Sequence, residues 1–248
     1  MPLLPLISKR FGSRRRGGPS GAAALLLLAL AACANPGSDP SAAAVDRILV
    51  AEAAGAEQAG DYASAARHYS SLYQTNRGDP AVIEALARNL RHGGDLAAAR
   101  SVLEEALGRL GPQGGLLVEK GKAEIGLGKA ELAVPTLEAA VAAAPGDWEA
   151  PATLAVALDR LGRFDEAASR YRAALALNSA DNADLYNNYA LSRALAGRLD
   201  EARSLLRTAV ALPGATARVR ENLAMLETLQ RPPAAGPARL ALPAVVVR

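Results

Sequence analysis

The sequence is poor in the residues that build disulfides, metal sites and sheets. Its 248 residues include one cysteine, two histidines and one tryptophan, and aromatic residues make up 4% of the chain. A single cysteine excludes an intramolecular disulfide. Most of the apolar residues are Ala and Leu, which favour helices, whereas a sheet protein would be enriched in Val, Ile, Thr and aromatic residues. The composition therefore predicts tightly packed helices.

Motifs of catalysis and metal binding are missing as well. His68 and His92 have no Cys, Asp or Glu partner at metal-ligand spacing, so we interpret both as surface residues. The glycine-rich stretch 115–122 is one residue too long for a phosphate loop, and Ala123 stands where Ser or Thr is required. No nucleophile elbow and no HExxH helix occurs. We predict that the chain is not an enzyme, with no catalytic residue, no metal and no cofactor.

The basic character of the chain comes from its N-terminal segment. The formal net charge is +3, but residues 1–32 carry five basic residues and no acidic one. Without this segment the chain is slightly acidic, which argues against a nucleic-acid partner.

Residues 1–32 have the order of a bacterial signal peptide. A basic region ends at Arg16, and an apolar run of eleven residues extends from Ala22 to Ala32. At about 1.5 Å per residue this run reaches roughly half of a ~30 Å hydrocarbon core, so it predicts a signal-peptide core and not a membrane-spanning helix. The stretch Ser13-Arg14-Arg15 leaves a twin-arginine export route open.

The apolar run ends in Leu30-Ala31-Ala32-Cys33, which resembles the lipobox of bacterial lipoproteins. The resemblance implies that Cys33 receives a diacylglyceryl group and becomes an acylated N-terminus after cleavage. Several acyl chains on one residue give stable membrane anchoring, whereas one chain gives marginal binding. The absence of Asp at position 34 implies the outer membrane. The alternative is a signal peptide that happens to contain a cysteine. Residues 33–45, with two prolines and no apolar period, predict a flexible tether.

Glycines recur along the chain with a period of 34 or 35 residues. These glycines are Gly60, Gly94, Gly128, Gly162 and Gly197. A small Ala follows each glycine after five residues, then a large apolar or aromatic residue after four, and in most copies another Ala after three. In the best-formed copy these are Ala167, Tyr171 and Ala174. A fixed period of this length is the signature of a solenoid.

The repeats over residues 46–230 resemble tetratricopeptide repeats, with a first helix, a turn at the glycine and a second helix. We predict an all-α, right-handed superhelical solenoid of about five repeats and a C-terminal capping helix over residues 217–230. Residues 231–248 contain four prolines and predict an unstructured tail, although residues 240–247 could pair as an edge strand with a partner.

The first helices of tetratricopeptide repeats line a concave groove, so the resemblance implies which residues face a protein partner. The predicted groove residues are Glu84, Arg88, Arg91, Lys122, Glu149, Asp159, Arg160, Asp184, Asn187 and Asn188. Their mixture of charge and amide suits an extended peptide whose backbone is hydrogen-bonded by Asn side chains. They do not reproduce the Lys/Asn clamp by which chaperone-type repeats hold a C-terminal carboxylate. The alternative is that they belong to ordinary solvated helix faces.

Three stretches are similar to the TadD group, repeat lipoproteins of tight-adherence (Flp) pilus assembly. They are residues 148–162, 186–190 and 212–224, and the last is the most specific because packing of a repeat does not require it. The resemblance implies a scaffold anchored to the periplasmic face of the outer membrane that assists pilus or secretion-system assembly, with a secretin as partner. A pilotin of type IV pili and an accessory scaffold for a cell-envelope enzyme remain alternatives.

Overall fold

The computed structural model describes residues 40–178 and 182–228. The chain divides into two compact units, Met1–Ala43 and Ala44–Arg248. Of the first unit only residues 40–43 are described, as the start of a helix. The predicted signal peptide (residues 1–32), the lipidation site Cys33 and the predicted tail (residues 231–248) lie outside the described residues.

Every regular element among the described residues is an α-helix. The helices are α1 (Pro40–Gln58), α2 (Tyr62–Thr75), α3 (Pro80–His92), α4 (Leu96–Leu110), α5 (Gly114–Gly126), α6 (Ala130–Ala143), α7 (Glu149–Arg160), α8 (Phe164–Leu177), α9 (Ala183–Leu195), α10 (Leu199–Ala211) and α11 (Ala217–Thr228). They form five pairs of a first and a second helix, followed by α11. The predicted all-α tetratricopeptide solenoid with a terminal helix is confirmed.

The periodic glycines lie in the turns within the pairs. All five have positive φ, between 72° and 88°. At Gly162 the glycine N–H donates to the carbonyl of Asp159 at 3.0 Å, and the N–H of Arg163 donates to the carbonyl of Leu158 at 2.9 Å. These two bonds close the end of α7, and the left-handed backbone that they need is accessible to glycine without a steric cost.

The periodic alanines are buried where helices cross. Ala167 and Ala174 on α8 have no exposed surface, and neither has Tyr171 between them. The equivalent residues of the preceding repeat, Ala133 and Ala140 on α6, are also fully buried. A larger side chain at such a crossing would overpack it, which costs about 1–3 kcal/mol. Close packing of the helices therefore requires the small residues that recur with the repeat.

The first helix begins earlier than the sequence predicts. α1 starts at Pro40, so residues 40–45 of the predicted tether are helical. Proline is tolerated in the first turn of a helix, where its missing N–H would have no intrahelical partner, and the three alanines that follow Ser41 favour helix. The helix therefore begins six residues before the predicted boundary at Asp46.

The first helices form one continuous surface of the second unit. Among the described residues, α3, α5, α7, α9 and α11 contact one another in succession, whereas successive second helices make no comparable contact. Each second helix instead packs against the first helix that follows it. We call the surface of α3, α5, α7, α9 and α11 the groove.

Candidate protein-binding groove

A cavity of about 220 Å³ lies in the groove between α7 and α9, and we call it the tryptophan cavity. Its apolar floor consists of Trp148, Ala152, Val156 and Leu185, and its polar lining residues are Lys122, Glu149, Thr153, Asn182, Asp184, Asn188 and Arg218. These residues come from α5, α7, α9, α11 and the residues just before α7 and α9. Three consecutive repeats and the terminal helix thus contribute to one site.

Two helix N-termini position the walls of the tryptophan cavity. The Oδ1 atom of Asp147 accepts the N–H of Glu149 at 2.9 Å, at the start of α7. Asn182 caps α9, where its Oδ1 accepts the N–H of Leu185 at 3.0 Å. Such caps satisfy N–H groups that have no partner within the helix. They fix the positions of Trp148 and Asn182 in the lining of the cavity.

Ion pairs lie on two sides of this apolar floor. Lys122 on α5 contacts Glu149 on α7 at 3.2 Å. Arg218 on α11 contacts Asp184 on α9, also at 3.2 Å. Each pair joins two successive first helices. The charges around the cavity are thus already balanced, and the space between them is apolar.

A buried carboxylate, Glu119 on α5, connects the groove charges. Its carboxylate contacts Arg91 of α3 at 3.0 Å and Lys122 at 2.9 Å. Burial alone would raise the pKa of Glu119, but the charges and hydrogen bonds of Lys122 and Arg91 outweigh it and hold the pKa below its ordinary value. Glu119 is therefore ionised at neutral pH and fixes both cations.

A second cavity, of about 340 Å³, lies near the C-terminal ends of α3, α5 and α7, and we call it the cationic cavity. It is lined by Arg91, Leu96, Lys122, Ile125, Gly126, Gly128 and Arg160. Three of these residues are cations, from three successive repeats, and none is acidic. Lys122 belongs to both cavities, so the two are neighbours in the groove.

The structure brings six of the ten predicted groove residues to these cavities. They are Arg91, Lys122, Glu149, Arg160, Asp184 and Asn188. Glu84 and Arg88 lie on α3 and contact each other at 3.4 Å without lining either cavity. A role of these eight residues in partner binding remains a prediction.

Asp159 is buried and does not reach the groove surface, which corrects its predicted placement. It is 7% exposed and accepts hydrogen bonds from Ser192 at 2.6 Å and from Tyr171 at 3.1 Å. Burial raises the pKa of Asp159 to about 6, although the hydrogen bonds from Ser192 and Tyr171 and the charges of Arg193 and Arg160 oppose it. Its carboxylate joins α7, α8 and α9.

Asn187 is likewise interior. It is 1% exposed, and its Oδ1 accepts a hydrogen bond from the side-chain amide of Asn222 on α11 at 2.8 Å. Buried polar groups need such partners. Only its neighbour Asn188 faces the tryptophan cavity, because adjacent residues of a helix point in different directions.

The groove prediction missed Trp148 and Arg218, together with Thr153 and Leu185. Trp148 precedes α7, and Arg218 lies on the terminal helix, so neither belongs to a first helix of the five complete repeats. A signal for both was present, because each lies within a stretch that resembles the TadD group.

In residues 40–178 and 182–228, neither a metal site nor a membrane-spanning helix is found. No group of three or more His, Cys, Asp and Glu residues there is arranged to hold a metal ion. No helix in that part of the chain is both long enough and apolar enough to cross a membrane.

Solved structures share this fold at low sequence identity. TTC0263, a thermophilic TPR protein of Thermus thermophilus, is 21% identical with a TM-score of 0.66, covering 74% of this chain and 99% of its own. A MamA fragment of Desulfovibrio magneticus RS-1 is 21% identical with a TM-score of 0.51, covering 76% and 98%. YrrB, described as a TPR protein with an unusual peptide-binding site, is 18% identical with a TM-score of 0.52, covering 78% and 98%.

Family models of the tetratricopeptide repeat match the sequence directly. One matches residues 152–216, and another matches residues 56–111 and 124–178. No curated protein matches. The two models together cover more than half of the chain, and the helix pairs, turn glycines and buried alanines agree with them. The chain belongs to the tetratricopeptide-repeat family.

Proposed function

We propose that this protein is a periplasmic scaffold, anchored to the outer membrane by lipid on Cys33, that binds a component of a pilus or secretion system through its groove. Tetratricopeptide repeats act as protein-interaction scaffolds. The partner that the resemblance favours is a secretin, which the scaffold localises or stabilises. We propose no reaction for the chain itself.

The observation that carries this proposal is the convergence of the three TadD-like stretches on the tryptophan cavity. Trp148 and Glu149 come from the first stretch, Asn188 from the second and Arg218 from the third. Neither Trp148 nor Arg218 belongs to the skeleton that packs the repeats. The residues that make these stretches distinctive are therefore also residues placed where a partner could bind.

The chemistry of the cavity suits an extended segment of a protein. An apolar floor accepts a side chain, and amides such as Asn188 can both donate to and accept from a peptide backbone. A solved protein of similar fold, YrrB, is described as having a peptide-binding site. That likeness supports a peptide ligand, although it does not identify one.

Membrane fractionation tests the anchor. We expect the wild-type protein to be shortened, labelled by palmitate and recovered with the outer membrane. Cys33→Ser should remain unprocessed and unlabelled, because it lacks the thiol that carries the lipid. Ala34→Asp is the matched control, since the lipoprotein resemblance implies that Asp after the cysteine favours the inner membrane while lipidation continues. A Cys33→Ser protein of unchanged size, label and density would contradict the anchor.

The same membranes, extracted with detergent, test the partner. Affinity purification of the wild-type protein should recover a secretin or another pilus-assembly component, and Asn188→Asp should recover less of it. Recovery of cell-wall enzymes without any pilus or secretin subunit would contradict the proposal in favour of the enzyme-accessory alternative.

A further inference from the structure

We infer that the first helix, α1, carries a second docking site, which binds an amphipathic helix of another protein in the way that a first helix of this array binds the second helix before it. The site is the side of α1 formed by Val45, Ile48, Ala51 and Gly55, which we call the N-terminal face. It does not belong to the groove, so the inference goes beyond the proposed function and does not depend on it.

Contacts on the other side of α1 show which way the N-terminal face points. Asp46 and Glu57 accept hydrogen bonds from the side-chain amides of Asn76 and Asn89, at 2.9 and 2.5 Å. Ala53, on the same side of the helix, is fully buried. These three residues of α1 turn toward the array. With 3.6 residues per turn, the N-terminal face therefore points away from it.

The N-terminal face is apolar and exposed. Val45 and Ile48 are 53% and 60% exposed, and a Cβ atom added at Gly55 would meet nothing within 4 Å. The last helix of a solenoid needs a polar outer side for solubility. At the other end of the array α11 meets this need, with Arg220 and Glu221 exposed to solvent. The first helix does not, so its apolar side is left uncovered.

Later first helices bury the positions that correspond to this face. Counted by the repeat of 34 or 35 residues, the positions that correspond to Ile48 are partly or fully buried; they are Val82, Leu116, Ala150 and Leu185. The positions that correspond to Gly55 are at most 1% exposed; they are Asn89, Ala123, Ala157 and Ser192. The N-terminal face is thus the surface by which one repeat joins the repeat before it.

In the later repeats a second helix covers this surface. Leu116 of α5 lies in one apolar cluster with Leu103 and Ala106 of α4. Ala150 of α7 lies in another with Ala140 of α6. Among the described residues no helix precedes α1 to do the same.

The occupant that fits is therefore an amphipathic helix with a stripe of Leu and Ala. The second helix α4 shows the pattern, since its apolar residues at this contact recur at intervals of three, four and seven residues; they are Leu103, Ala106, Leu107 and Leu110. An amphipathic helix that lays such a stripe on an apolar surface is a common form of protein recognition.

A second copy of this chain has no such helix to donate. Each of its second helices already packs against the first helix that follows it, α2 against α3 and so on to α10 against α11. A lipid surface is also a poor match, because the exposed carboxylate of Glu52 lies at the edge of the face and burying it in an apolar phase is costly. The occupant is a helix of another protein.

Selection from a displayed library of helices tests this chemistry. The probe is a helical hairpin on phage, with one face of its second helix randomised, and the bait is the full-length protein in detergent. We expect enrichment of Leu and Ala at positions i, i+3, i+4 and i+7 of the randomised helix. The selected hairpins, added as purified proteins, should slow amide hydrogen exchange in α1.

A pair of acidic substitutions on α1 provides the decisive comparison. Ile48→Glu places a charge in the centre of the face, and we expect the selected hairpins to bind it at least tenfold more weakly. Val50→Glu is the matched control, since Val50 is also exposed, at 47%, but lies on the other side of the helix. Glu84 stands at the corresponding position of the next repeat, so the control should fold and bind like the wild type. Circular dichroism checks the helix content of both variants.

Several outcomes would overturn the inference. They are selected hairpins without the Leu and Ala spacing, equal affinity for Ile48→Glu and the wild type, or a dimer in sedimentation experiments that Ile48→Glu abolishes. Flotation of the Cys33→Ser protein with vesicles of phosphatidylethanolamine and phosphatidylglycerol, lost on adding Ile48→Glu, would show that lipid covers the face instead. Recovery of a secretin that depends on Asn188, with no helix bound at α1, would contradict this inference and leave the proposed function standing.

Discussion

At the scale of single residues, Asp159 illustrates how a polar side chain can serve the interior of a repeat protein. Its carboxylate accepts hydrogen bonds from Tyr171 on α8 and from Ser192 on α9. It thereby joins the helices of one pair to the next repeat. Burial nevertheless raises the pKa of Asp159 to about 6, so its charged form is disfavoured in the folded protein relative to the unfolded chain.

The pH dependence of stability tests this assignment through Asp159→Asn. A pKa that is raised in the folded state means that the folded protein binds the proton more tightly than the unfolded chain. The contribution of Asp159 is therefore fully present below its ordinary pKa of 3.8 and is lost as the pH rises to about 6. We expect the free energy of unfolding of the wild type to fall relative to Asp159→Asn by up to about 3 kcal/mol over this window.

Urea denaturation at a series of pH values measures this difference. Glu138→Gln, which alters an exposed carboxylate on α6, should give a curve parallel to that of the wild type. Parallel curves for the wild type and Asp159→Asn would show that the carboxylate titrates alike in the folded and unfolded states.

At the scale of helices, glycine has two separate uses in this chain. In the turns it supplies positive φ, as at Gly162. Inside α5 it permits close packing, because a Cβ atom added at Gly121 would lie 2.5 Å from the Cγ and Cδ2 atoms of Leu137 on α6. Leu137 is fully buried, so its side chain has little room to move away. The 34- or 35-residue period of the sequence predicts the turn glycines. The close-packing role of Gly121 is seen only where α5 packs against α6.

Alanine substitutions at two helical glycines separate packing from helix propensity. Gly121→Ala should lower the free energy of unfolding by about 1–3 kcal/mol, because overpacking exceeds the gain in propensity. Gly108→Ala on α4 is the matched control, since nothing lies within 4 Å of its added Cβ atom. We expect that control to raise stability by up to about 1 kcal/mol. Chemical denaturation measures both, and effects of the same sign would contradict the close contact of α5 with α6.

At the scale of the whole molecule, buried apolar residues form successive clusters and not one central core. One cluster centres on Ile83 and Leu103, another on Leu154 and Tyr171, and a third brings Leu226 of α11 against the last complete repeat. The stability of such an array is the sum of the intrinsic stabilities of the repeats and of the interaction free energies between neighbouring repeats. The terminal helix, through Val219 and Leu226, covers the surface that would otherwise end the array exposed.

Truncation of a side chain on the terminal helix α11 should therefore destabilise only the neighbouring part of the array. Leu226→Ala removes a residue that is 1% exposed, and it should cost about 2–5 kcal/mol in the part of the array that it covers. Amide hydrogen exchange should accelerate in α9, α10 and α11 and remain unchanged in α3 and α4. An equal acceleration throughout the helices would show that the repeats unfold as one cooperative unit.

The fold could be predicted from the sequence more completely than the site. The five helix pairs followed from the glycine and alanine spacing, but the start of α1 at Pro40 did not, because local propensity extends the helix beyond the periodic positions. Among the predicted groove residues, Asn188 lines the tryptophan cavity, while its neighbour Asn187 is buried against Asn222. The helix period shows that the two side chains point in different directions, but it does not show which of them meets Asn222 on α11.

The sequence by itself determined the architecture, because each copy of the repeat meets the same steric demands and therefore repeats the same small residues. The tertiary structure decided which polar residues remain accessible. Trp148, Asn188 and Arg218 meet at one cavity only because two successive repeats and the terminal helix stack against one another. Asp159 is withdrawn from that surface because Tyr171 and Ser192 approach it from the next two helices. Contacts between repeats of this kind depend on stacking, which a spacing pattern within one copy does not encode.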